Sequence, residues 1–286
     1  MRWIVTGANG MLGRDLVGTL LEQGEDVRAL GRGDLDVTDS AAVAAAVRDV
    51  DVVVNCAAYT AVDQAESDEA AAFALNAAGP AYLAAAARAA RARIVQISTD
   101  YVVAGDGPAD GPHPEDAPVA PRSAYGRTKA AGEWAVRSEN PDHLVVRTAW
   151  LYGAHGGCFP KTMVRAAGQR DVLDVVDDQV GQPTWTVDVA DLVVRLVQAG
   201  APSGTYHATS TGETSWFEFA RAVVTSAGFT PEKVRPTTSE AFVRPAPRPA
   251  YSALGHDALR AAGVEPIGPW EQRWAEASAL VLADGA

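Results

Sequence analysis

The chain has 286 residues, 48% hydrophobic and 21% charged, which suits one large α/β unit or two smaller ones around a well-buried core. Its net charge of −12 argues against nucleic acid and anionic membrane surfaces as partners, although a local arginine or a helix N-terminus can still hold an anionic small ligand. The two cysteines, Cys56 and Cys158, give no disulfide framework. The start of the chain shows no apolar leader, and no stretch reads as membrane-spanning, so a cytoplasmic protein is expected.

Residues 2–6 form the first predicted strand and lead directly into Thr6-Gly7-Ala8-Asn9-Gly10-Met11-Leu12-Gly13. Leu12, Leu16 and Leu20, with Val17 and Leu21 beside them, then mark one apolar face of a helix that Gly24 stops. Glycines at i, i+3 and i+6 let a backbone turn sharply and approach a phosphate, while the helix N-terminus offers free N–H groups. Tight βα turns need glycine for structural reasons as well. The strand–turn–helix setting favours a nucleotide loop built on Gly7, Gly10 and Gly13.

The second strand, 27–30, is followed by Gly31-Arg32-Gly33-Asp34. An acid that would bind an adenosine ribose is missing from the strand end, and Arg32 lies close by. Arg32 either pairs with a 2′-phosphate, which favours NADPH over NADH, or is a solvated loop residue. Asp36 is placed near the adenine. A third strand, 51–55, has the unbroken apolar run Val52-Val53-Val54 of a strand buried on both faces, and Cys56 after it reads as a buried thiol.

The fourth strand, 93–98, ends in Ser98-Thr99-Asp100, where a parallel sheet presents residues to a ligand. A hydroxyl there can hydrogen-bond a carbonyl oxygen as it gains charge. Tyr125 and Lys129 follow at i and i+4, on one face if helical. A free phenol has a pKa near ~10, and a neighbouring ammonium lowers it. The same spacing also arises in ordinary exposed pairs. A fifth strand is expected at 144–148. Beyond Trp150 glycines, prolines and aromatics rise, and Pro245-Ala246-Pro247-Arg248-Pro249 excludes regular helix or central strand. A helix at about 187–198 is expected to return to the first lobe. The division is therefore 1–150 with a returning segment near 177–200, and a second lobe of 151–176 and 201–286.

The glycine loop, Ser98-Thr99-Asp100 and the Tyr125/Lys129 pair resemble the extended short-chain dehydrogenases/reductases. Further motifs narrow the likeness: residues 55–63 (Asn-Cys-Ala-Ala-Tyr-Thr-Ala-Val-Asp), 147–153 (Arg-Thr-Ala-Trp-Leu-Tyr-Gly), 178–184 (Asp-Gln-Val-Gly-Gln-Pro-Thr) and Arg248-Pro249. Together they resemble the dTDP-4-dehydrorhamnose reductase family over nearly the whole chain. The resemblance implies a Rossmann-type doubly wound parallel sheet, an α/β fold, with a smaller C-terminal substrate-binding lobe. It also implies reduction of the C4 ketone of a dTDP-linked 6-deoxyhexose, with NADPH as cofactor and NADH possible.

By position, Tyr125 would donate the proton, Lys129 would bind the nicotinamide ribose, and Thr99 would hydrogen-bond the substrate carbonyl with Asp100 beside it. Gly10, Met11, Leu12, Asp36, Ala57, Ala58 and Tyr59 would line the cofactor. Thr60, Val62, Trp150 and Arg248 would lie on the substrate side. Trp150 otherwise reads as a core aromatic, and Arg244, a second candidate for the diphosphate, as a solvated loop charge. Some relatives share a magnesium site between subunits. Asp15 matches one of its acids, but Val187 stands where another is expected, so no metal is assigned. A monomer or a homodimer is expected. A dehydratase or epimerase of the same superfamily, and a non-catalytic subunit of this fold, are the competing readings.

Overall fold

A computed structural model describes residues 1–106 and 111–283. Five strands, β1 (Arg2–Thr6), β2 (Asp26–Leu30), β3 (Val52–Asn55), β4 (Arg93–Thr99) and β5 (His143–Thr148), lie within one residue of the predicted bounds at each end. All are parallel, in the order β5-β4-β3-β1-β2, so the chain crosses over between β1 and β3 and the sheet is doubly wound. The buried runs of β1, β3 and β4 fit strands covered on both faces. One cover packs Leu12, Leu16 and Leu20 of the first helix (Met11–Glu22) against Val189, Leu192, Val193 and Leu196 of the returning helix (Thr186–Gln198). The other packs Val43, Leu83, Ala84 and Ala87 onto Val53 and Ile94.

The sheet holds a sixth strand that the sequence does not predict. Gly204–His207 adds in parallel beside β5. Leu259, Val264 and Ile267 join the same core as Leu16 and Leu144. The returning portion therefore runs past residue 200 and is followed by further contributions from 259–267. The remaining second lobe is built on the helices Phe159–Gln169, Trp216–Ser226 and Trp270–Leu282, with Leu173–Val176 paired to Val234–Thr237.

A second expectation also needs correction. The continuous helix Glu69–Ala89, 21 residues with mean hydropathy 1.3, is long and apolar enough to cross a membrane. Its apolarity comes largely from alanines, and Leu83, Ala84 and Ala87 on it are fully buried against Val43 and Ile94 of this fold. Packing onto the sheet therefore accounts for much of the composition.

Candidate active site

One cavity of about 2000 Å³ runs along the carboxyl ends of the strands and between the lobes. At its first end is the turn after β1. Gly7 has φ +66°, and a Cβ there would lie 2.6 Å from the Ala57 backbone nitrogen; a Cβ on Gly13 would lie 2.3 Å from the Gly7 carbonyl. These backbones touch, so no side chain fits, and the loop is pressed against the residues following β3. Gly10, Met11 and Leu12, at the start of the first helix, line the cavity with Ala57, Ala58 and Tyr59 opposite. Such a cradle suits a dinucleotide pyrophosphate.

Past β2, Arg32 and Asp36 also line the cavity. Both are exposed. Asp36 accepts from the Thr38 N–H and hydroxyl at 2.9 and 2.7 Å, and these bonds hold its carboxyl below the usual range. Asp34 curls back onto the Gly31 N–H at 2.8 Å, so its carboxylate closes the turn.

The chemistry sits in the middle. β4 delivers Thr99 and Asp100, while the helix Ala124–Glu139, capped by Ser123 onto the Gly126 N–H, delivers Tyr125 and Lys129 one turn apart. Thr99 donates to Asp100 at 2.9 Å and accepts from the Tyr101 N–H at 3.2 Å. Burial pushes the Tyr125 phenol up to about 12, with the adjacent Thr99 hydroxyl pulling the other way. The sequence suggests a phenol lowered by Lys129. Instead, Lys129 donates to the Ile97 carbonyl at 2.6 Å and is itself brought down to about 8 by burial, so desolvation governs both groups. Burial raises Asp100 to about 6. Asp100 Oδ2 and Thr148 Oγ1 are buried with no hydrogen-bond partner among the described residues.

The far wall belongs to the second lobe. Trp150 leaves β5 with φ +46°, a left-handed conformation uncommon for a bulky residue. Its ring stacks on Trp216, centroids 3.6 Å apart and planes 6° from parallel, so it is a cavity wall rather than a core aromatic. Phe159 packs on Trp216 at 4.4 Å, and no sequence spacing links either residue to Trp150. Thr60, Val62, Arg244 and Arg248 complete the lining. Arg248 pairs with Asp63 at 2.9 Å, and Asp63 also accepts from the Ala246 N–H at 3.3 Å. Every residue predicted for the site thus meets in one cavity. Among the described residues no cluster of three or more His, Cys, Asp or Glu offers a metal site; Asp15 instead accepts from Thr186 and faces His155 at 3.5 Å.

A doubly wound sheet with a nucleotide cradle, a Thr–Tyr–Lys set and a second lobe closing the cleft defines an oxidoreductase of the extended short-chain type. A family model described as RmlD substrate binding domain matches residues 1–282. The chain is 52% identical to a dTDP-4-dehydrorhamnose reductase of Streptomyces griseus, over 94% of this chain and 90% of that one. It is 51% identical to a probable dTDP-4,6-dihydroxy-2-methyloxan-3-one 4-ketoreductase of Streptomyces antibioticus, over 99% and 96%. The crystal structure of a Bacillus anthracis dTDP-4-dehydrorhamnose reductase in complex with NADP superposes with a TM-score of 0.92 at 38% identity, over 96% of this chain and 98% of that one. The chain belongs to the dTDP-4-dehydrorhamnose reductase family.

Proposed function

We propose that the protein uses NADPH, with NADH a possible substitute, to reduce the C4 ketone of a dTDP-4-keto-6-deoxysugar, dTDP-4-dehydro-L-rhamnose being the first candidate. The observation that carries this reading is the single cavity joining the glycine cradle, Thr99/Asp100/Tyr125/Lys129 and the Trp150–Trp216 wall. The cradle fits a dinucleotide because close backbone packing at Gly7 and Gly13 leaves the start of the first helix, at Gly10, Met11 and Leu12, open to the cavity. NADPH, when bound, supplies the hydride.

The chain's own residues do the rest. Gly7 and Gly13 let the loop pack on the backbone behind it, so that Gly10, Met11 and Leu12 would meet the pyrophosphate, with Ala57, Ala58 and Tyr59 opposite. Lys129 holds the ribose in exchange for the Ile97 carbonyl, and Arg32 and Asp36 border the adenosine end. Thr99 hydrogen-bonds the C4 oxygen, and Tyr125 gives its phenolic proton to that oxygen as charge develops. A phenol held near 12 stays protonated at neutral pH, which suits a donor. Asp100 holds the Thr99 hydroxyl at 2.9 Å and so helps to set its direction. Trp150 gives the sugar a flat wall, Thr60 and Val62 border it, and Arg248 and Arg244 lie toward the diphosphate. Anchoring the nucleotide in the second lobe orients the ketone, so a free 4-keto sugar should lose kcat as well as affinity.

The second reading is a reductase for another dTDP-4-keto-deoxysugar. Two relatives of nearly equal identity, bearing names for different sugars, support keeping it. The test is NADPH oxidation against a panel of enzymatically made dTDP-4-keto sugars, with products identified by mass and NMR. Good activity on simple ketones with none on the panel would defeat both readings.

A further inference from the structure

Directly behind the catalytic pair lies a buried ionic centre that the reaction as described leaves unused. Glu133 follows Tyr125 and Lys129 on the same helix face, one turn further on, and is fully buried. Its carboxylate accepts Arg147 Nε and Nη2, both at 2.9 Å, and the Ser98 hydroxyl at 2.6 Å; Arg137 approaches at 3.4 Å. Arg147 is 1% exposed and also donates to the Glu115 carbonyl. The three bonded elements each carry a working residue next to the bond. Ser98 precedes Thr99 on β4. Arg147 precedes Thr148, Ala149 and Trp150 at the end of β5. The helix carries Tyr125 and Lys129.

We propose that Glu133, with Arg147, is the positioning residue of this active site, fixing the ends of β4 and β5 against the catalytic helix. The inference rests on the roles given above to Tyr125 and Lys129. Physically, a carboxylate with three strong donors has one low-energy placement, because any shift breaks charge-assisted bonds in a dry interior. A buried ion pair is weak evidence for stability, since apolar replacements are often neutral. What it does supply here is geometry at three chain segments. It also supplies electrostatics: burial lowers Lys129, while Glu133 on its own helix and Cys56 just after β3 favour the ammonium. Arg147 in turn faces His113 and His207, both held neutral by burial.

The experiment compares wild type with Glu133→Gln and with Glu133→Gln/Arg147→Met. The single variant leaves Arg147 buried without its partner and can fail to fold. The double variant removes both charges and keeps an amide that Ser98 can bond, so it carries the test. NADPH affinity is measured by fluorescence from pH 6 to 10, beside kcat on the dTDP-4-keto sugar. In Glu133→Gln, which keeps the Arg147 charge, loss of the carboxylate makes the ammonium easier to deprotonate, so the alkaline fall in NADPH affinity should move to lower pH by about half a unit or more, and the double variant, which loses a cation as well, should move it less. The kcat should fall about tenfold or more, as expected when reacting groups are misplaced. A kcat within about twofold of wild type in the double variant, or an unmoved alkaline limb in a folded Glu133→Gln protein, overturns the proposal. The NADPH titration needs no sugar, so failure of wild type on every dTDP-sugar would count against the assigned reaction and leave the test of Glu133 standing.

Discussion

Lys129 should cost the protein stability while serving its activity. Burial brings its ammonium to about 8 from the ordinary 10.5. At about 1.4 kcal/mol per pH unit, that gap corresponds to about 3 kcal/mol of unfavourable burial at neutral pH. The Ile97 carbonyl bond is part of the folded state, and losing it gives back about 1 kcal/mol. Lys129→Met keeps the aliphatic stem and removes the charge. The apoprotein variant should therefore be about 1–3 kcal/mol more stable than wild type at pH 7, with turnover and NADPH binding lost. The sign follows from proton binding. Between pH 8 and 10.5 the unfolded chain keeps the lysine proton and the native chain has released it, so wild-type stability rises with pH there. The advantage of the variant should shrink over that window and vanish near its top. Urea unfolding of both proteins at pH 7, 8.5 and 10 reads this directly. A Lys129→Met protein less stable than wild type at pH 7, or a difference independent of pH, would refute burial as the cause.

Tyr125→Phe should lower kcat by about 10²-fold or more with little change in NADPH affinity; a near-normal rate would remove Tyr125 as donor. Arg32→Ala should weaken NADPH binding by about 1.5–3 kcal/mol and spare NADH if the guanidinium pairs with a 2′-phosphate, and equal losses would leave Arg32 a solvated loop charge. Acid should destabilise the fold early. Burial holds His207 down to about 3 and His256 to about 4, so the native chain stays neutral there while the unfolded chain takes up protons below its ordinary 6.5. That stability is complete above pH 6.5 and is lost as pH falls. Asp100, raised to about 6, offsets one of the two protons below that pH. These three groups contribute a slope of about 1.4 kcal/mol per pH unit from pH 6 to 5, and His207→Gln should reduce it. Equal wild-type stability at pH 7.5 and 5 would contradict this.

The parts of the fold that could be read from the sequence are those whose signal is local. Val52-Val53-Val54 announces a buried strand by composition alone, and Leu12, Leu16 and Leu20 announce a helix face by spacing. Gly204-Thr205-Tyr206-His207 does neither. It is short and mostly polar, and it becomes a strand because β5 offers a free edge after the returning helix. The same distinction runs through the site. Tyr125 and Lys129 are readable because one helical turn brings them together. Trp150 and Trp216, or Asp63 and Arg248, meet only through tertiary packing. Glu133 is the intermediate case: its spacing from Lys129 was visible, but its meaning depends on Arg147 arriving from β5.

Arg248 shows how the tertiary setting changes the chemistry of a residue whose position was anticipated. As a cation among prolines it suits a diphosphate. In the fold its charge already faces Asp63, at the start of the helix Val62–Ala65 in the first lobe. Asp63 also holds the Ala246 N–H of the same proline-rich loop. One carboxylate thus straps the second-lobe loop to the first lobe beside the cleft. An approaching diphosphate would meet Asp63 together with Arg248, and like charge opposes its closest approach there. Arg244 is exposed on the same loop and lines the same cavity. It can swing toward the ligand without breaking that strap. On the proposed reaction the two arginines would divide the work, with Arg248 setting where the loop lies and Arg244 contributing the more adjustable positive charge.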